Sequence, residues 1–179
     1  MKKIATILIL FITVACSNEQ NKKQNNISID GIPKMSNPTS AIIELDERIN
    51  ELSNYGDNLS KLTEPQKVFW FIENLEREVN NGGFNQFYYN SSGDYAHETF
   101  KALRTIGAIK MSEIVNKANS AWPNQTVPKD RTERQNIQET IGEQANTVWE
   151  LCDNQFYEYP DNITELLLKY VNQNKADFE

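Results

Sequence analysis

Two glycines in a row, with a third ten residues on, constrain this chain more than any other feature. They lie in Asn80-Asn81-Gly82-Gly83-Phe84-Asn85-Gln86-Phe87-Tyr88-Tyr89-Asn90-Ser91-Ser92-Gly93-Asp94. A strongly apolar helical pattern runs into this stretch and another runs out of it. Gly82 and Gly83 can take the positive φ that ends a helix, and Ser92-Gly93-Asp94 reads as a turn that hands Asp94 to the next helix as its cap. Between the two breaks, Phe84, Phe87 and Tyr88 stand at i, i+3 and i+4, so one short helical turn plants all three in a single core. The motif residues Gly82, Gly83, Phe84, Gln86, Phe87, Gly93 and Asp94 therefore read as architecture and name no reaction.

The rest of the chain repeats the helical period. Ile42, Leu45, Ile49 and Leu52 share one face, and Tyr55-Gly56-Asp57-Asn58 ends that helix. Thr63-Glu64-Pro65-Gln66 offers a capping box and an early proline for a second helix, which carries Val68, Ile72, Leu75 and Val79. Asp94 opens a helix that Gly107 closes, and another covers residues 110–121. Asp130-Arg131-Thr132-Glu133 starts the longest helix, which reaches about Phe156 with an expected apolar face of Ile137, Ile141, Ala145, Val148 and Cys152. Asp161 or Asn162 caps a last helix containing Ile163, Leu166, Leu167, Tyr170 and Val171. No segment alternates with period two. The expected fold is all-α, a single domain of six or seven helices over residues 39–179 with the Gly-Gly-Phe aromatic turn at its centre.

The N-terminus has a different character. Lys2-Lys3, the eleven-residue run Ile4–Val14 and then Ala15-Cys16 have the layout of a secretory signal. The run is too short to span a bilayer. Thr13-Val14-Ala15-Cys16 resembles a bacterial lipobox, which implies that residues 1–15 are a signal peptide and that Cys16 is lipidated. Residues 16–38 are Asn-, Gln- and Lys-rich and read as a flexible tether. The expected location is the bacterial cell envelope, with the domain facing the periplasm from the outer membrane and touching the bilayer through its lipid alone.

Charge narrows the function. Lys and Arg number 18 against 25 Asp and Glu, a net charge of −7. No basic face is visible, so direct nucleic-acid binding is not expected; an acidic chain suits a basic protein partner instead. Chemistry-bearing groups are few. His97 is the one histidine, flanked by Asp94 and Glu98, and a general-base role for this trio has to be weighed against simple capping or packing. Glu73 and Glu76 form a carboxylate pair at helical spacing. Neither a metal site nor a cofactor is expected. Cys152 lies on an apolar stripe and reads as a buried thiol. On the longest helix Glu139, Glu143, Glu150 and Asp153 fall within one sector, at 100° per residue. That row is either a binding face or an ordinary solvated one.

Asn81-Gly82-Gly83-Phe84-Asn85-Gln86-Phe87, Asn90 to Ala96 and Ala102-Leu103-Arg104-Thr105-Ile106-Gly107-Ala108 together resemble the C-terminal domain family of a bacterial DNA-mimic protein. Val127-Pro128 and Asp153-Asn154-Gln155-Phe156-Tyr157 are similar to it too, and the resemblance covers residues 60–179. It implies an all-helical fold and an acidic, dimeric protein that occupies DNA-binding proteins by imitating duplex charge. The leading expectation is a non-enzymatic acidic interaction module on the envelope. DNA mimicry proper is the alternative, and an enzyme using His97 with Asp94 or Glu98 the third reading.

Overall fold

The computed structural model describes residues 37–178. The expected signal peptide, Cys16 and nearly all of the expected tether lie outside the described residues. Among these residues there are seven α-helices and no strand. Helix α1 spans Pro38–Leu52, capped by the Asn37 side chain on the Thr39 N–H. Helix α2 runs Glu64–Tyr89. Its start is the expected capping box: Thr63 Oγ1 accepts from the Gln66 N–H, and Gln66 Oε1 accepts from the Thr63 N–H.

Helix α2 is the centre of the molecule and packs against α1, α3, α5 and the short α7. Phe69, Ile72, Leu75 and Val79 are fully buried along its length. The axis breaks at Gly82 and Gly83, and the chain re-enters helical geometry at Phe84. A 3-10 turn over Ser91–Tyr95 then leads to α3, Ala96–Ile106, which stops at Gly107 in the left-handed conformation. Helix α4 covers Ile109–Asn119. After a loop, Asp130 caps the long helix α5, Arg131–Tyr157, by accepting from the Glu133 N–H. Asn162, the second of the two expected residues, caps α6, Ile163–Gln173. Asp161 instead accepts the Met111 N–H at the start of α4. One turn of helix, α7 over Lys175–Phe178, was not visible in the pattern; it buries Phe178 edge-on against Phe69.

Two expectations need correction. Asp94 does not cap α3: the cap position falls on Tyr95 without a side-chain bond, and the Asp94 carboxylate turns to Arg134. The inward face of α5 is also rotated from the expected one. Its buried residues are Arg134, Gln138, Ala145, Trp149, Cys152 and Phe156, while Ile137, Ile141 and Val148 are only partly buried. The apolar side chains had suggested a stripe one position off because two polar residues, Arg134 and Gln138, hold core positions.

Candidate interaction face on the long helix

The glycine-aromatic stretch is consumed by its own architecture. Gly83 has φ 70° and ψ −174°, a combination that is essentially glycine-only. A side chain there would also strike the Asp153 carboxylate, whose Oδ2 stands against the place a Cβ would occupy. That closeness is what allows Asp153 Oδ1 to accept the Phe84 N–H at 2.8 Å. A residue from α5 therefore supplies the N-terminal cap of the helical segment 84–89. Burial raises the Asp153 carboxyl above its usual range, and the Phe84 N–H opposes that rise.

Phe84, Phe87 and Tyr88 are all fully buried and stack edge-on or tilted among themselves. Tyr88 continues the cluster into Trp149 and Trp122, with ring centres 5.0 and 5.3 Å away, and its hydroxyl donates to Asn119 Oδ1. Gln86 donates to Glu78 Oε2, which also accepts from the Asn90 amide. Glu78 thus joins the two sides of the glycine break.

Arg134 holds the other end. Its side chain is fully buried, and its guanidinium donates to the carbonyls of Tyr88, Asn90, Pro128 and Lys129 and to Asp94 Oδ1. Each of its nitrogens has an acceptor, the condition under which a buried charge is tolerated. Gly93 is where the arginine passes: a Cβ there would lie 2.8 Å from Arg134 Nε and 2.9 Å from the Phe87 carbonyl oxygen and from Tyr88 Cα. Sequence reasoning missed Arg134. A signal existed, because extending the Ala145, Trp149, Cys152 and Phe156 face back by seven and eleven residues lands on Gln138 and Arg134.

The candidate chemical groups also have structural partners. His97 Nε2 accepts the Val127 N–H at 3.2 Å. Glu98 pairs with Lys129 and Asp94 with Arg134. Cys152 is buried, and that burial pushes its thiol up to about 11, away from the reactive thiolate. Burial drives Glu73 up to about 8, aided by Glu76 and Asp46. Glu76 is likewise pushed up to about 7, against a hydrogen bond from Tyr159. Among the described residues, no three metal-ligating side chains gather into a site.

What remains at the surface is one side of α5. Glu139, Glu143 and Glu150 are exposed, and none forms an ion pair among the described residues. The structure brings these three to one solvent face but separates Asp153 from them, because its carboxylate is turned inward on Phe84. The opposite side of α5 is locked to the core by Trp149, Phe156 and Arg134, so the carboxylates ride on a fixed rod.

The sequence model of one family, described as DMP19-like protein, matches residues 60–174, well over half of the chain. This chain belongs to the DMP19-like protein family. The match spans α2 to the end of α6 and leaves α1 outside it. No curated protein and no solved structure matches the chain. The DMP19-like membership agrees with the resemblance to DNA-mimic proteins and with the all-helical fold. Within the matched region, the glycine motif, Arg134 and the exposed α5 carboxylates occupy separate parts of the domain: core, keystone and surface.

Proposed function

We propose that this protein is a non-enzymatic, acidic interaction module, held at the bacterial envelope through a lipidated Cys16, that captures a basic protein with the exposed face of α5. The observation that carries this reading is the row Glu139, Glu143 and Glu150, solvent-facing on a helix whose other side is packed. A preorganised row of carboxylates raises the local concentration of a basic partner and steers its approach. The net charge of −7 points the same way. His97, Asp94 and Glu98 support the non-enzymatic reading because each is engaged in holding the fold.

The test is charge reversal. Glu139→Lys, Glu143→Lys and Glu150→Lys combined should abolish partner capture from envelope extracts at low salt while helical circular dichroism is unchanged. Capture that survives the reversal overturns the assignment of this face. Membership of the DMP19-like family favours a second reading, in which the same carboxylates imitate duplex phosphates and occupy a DNA-binding protein. Added duplex DNA should then displace the captured partner. In the leading reading it displaces the partner no better than an equal charge of polyglutamate does.

A further inference from the structure

Two unexplained features of α5 meet at one place. Gly142 lies in the middle of a 27-residue helix, where glycine costs about 1 kcal/mol relative to alanine. Nothing in the packing asks for it, since a Cβ built there meets no atom within 4 Å. One turn earlier, Gln138 is 5 % exposed. Its Nε2 donates to the Asn85 carbonyl and Oδ1, yet its Oε1 is buried without a hydrogen-bond partner. Such an acceptor is costly unless something fills it.

Both residues line one open groove of about 270 Å³ between α5 and the segment 84–89, together with Asn85, Tyr89, Gln135 and Glu139. Gly142 is the notch that opens it, and Gln138 forms its floor. Tyr89 is one wall, with 49 % of its surface exposed. Its backbone is fixed, because Gln135 and Arg131 both donate to the Tyr89 carbonyl. Its ring takes part in no aromatic or cation contact among the described residues. Glu139 supplies a carboxylate at the rim, and Glu143 is exposed one residue beyond the notch. The volume falls below the roughly 300–1,000 Å³ of small-molecule pockets and suits one long side chain.

We infer that this groove is the recognition pocket for an arginine side chain of the basic partner. The inference rests on the proposed capture of a basic protein by α5 and names the group that is read. A guanidinium is planar, so it stacks on the Tyr89 ring while its edge donates to Glu139 and to the floor amide of Gln138. The floor amide tilts outward to meet it, and the orphaned acceptor gains its donor. A lysine offers a compact, strongly hydrated charge that neither stacks nor bridges in this way. The pocket therefore discriminates between two cations of equal charge, which the carboxylate row alone does not do.

The test uses the full chain from residue 16 with Cys16→Ser, titrated with N-acetylarginine amide and separately with N-acetyllysine amide, and followed by amide NMR. Arginine should give saturable shifts centred on the Gln138 side-chain amide and the Gly142 N–H, with lysine at least fivefold weaker. Gly142→Leu fills the notch and improves helix propensity. It should raise the melting temperature yet weaken arginine binding at least tenfold, and Tyr89→Leu should erase the preference over lysine. Shifts spread evenly over Glu139, Glu143 and Glu150, equal for the two cations or unchanged by Gly142→Leu, overturn the pocket. If the arginine pocket fails while capture still depends on the α5 carboxylates, only this inference falls. If arginine binds the groove but capture ignores those carboxylates, the proposed function falls instead.

Discussion

Arg134 gathers the carbonyls of Tyr88, Asn90, Pro128 and Lys129 and the Asp94 carboxylate around one buried guanidinium, and Gly93 exists to let it through. Removing one partner of such a set leaves buried acceptors with no donor, at a cost of about 3–5 kcal/mol. Arg134→Met should therefore lower stability by that much in a urea melt. Arg134→Lys should recover little, because one ammonium cannot reach both edges of the site. Gly93→Ala should cost about 1–3 kcal/mol through overpacking, whereas Gly82→Ala should be milder, since the three atoms nearest its Cβ all belong to the Gln86 side chain, while those at Gly93 include the backbone of Phe87 and Tyr88. Equal losses at the two glycines would contradict this account of the motif. At this scale the sequence was only partly legible. The motif aromatics announced their burial by spacing. Arg134 did not, because a charged residue on a core face has no hydropathy signature and three of its acceptors, on Tyr88, Asn90 and Asp94, come from a segment 40 or more residues away. Asp94 was misread for a related reason: a residue that looks like a local cap was claimed by a distant cation.

Between elements, the contact of α1 with α2 carries a buried electrostatic load. Glu73 and Glu76 are half-buried on α2, Glu73 within reach of the Asp46 charge on α1, with Arg77 pairing Asp46 and the Tyr159 hydroxyl meeting Glu76. Burial holds both carboxyls higher in the folded protein, at about 8 and about 7, than the 4.5 of an exposed glutamate. A raised acid favours the folded state in its protonated form. Its contribution is complete below about pH 4.5 and is lost as pH rises through 7 and 8. The melting temperature should thus decline between pH 5 and pH 9, beyond what surface charge repulsion produces. Glu73→Gln should flatten that decline and melt above the wild type at pH 8.5. A flat wild-type profile would remove the half-buried acid pair from the account. The helices themselves were readable from caps and period: the Thr63–Gln66 box, the Asp130 cap and the Gly107 stop all fall where the residues place them. Short α7 escaped because one turn of helix has no period to detect. The register of α5 escaped because its partly buried isoleucines and valine outweighed Gln138 in the pattern.

For the molecule as a whole, the all-α fold followed from sequence because every long segment carried a helical stripe and none a strand. The surface was less legible. Four carboxylates shared a helical sector, but only the three-dimensional contact with Phe84 separates inward Asp153 from exposed Glu139, Glu143 and Glu150. Among the described residues no helix is long and apolar enough to cross a membrane, and the proposed attachment through Cys16 is tested by acylation. Labelled palmitate should enter the wild type and the membrane fraction together, and Cys16→Ser should lose both. An unlabelled protein in the cytosolic fraction would turn attention to the DNA-mimic reading.

The most direct measurement is site-specific photo-crosslinking in intact cells, with the reactive residue placed at Glu143 on α5 or at exposed Lys101 on α3 as a control. A discrete, salt-sensitive adduct with a basic protein from position 143 and none from 101 is the predicted result. Identical adducts from both positions, or none from 143 in cells where the protein is abundant and folded, would contradict the claim that the acidic face of α5 is where this protein does its work.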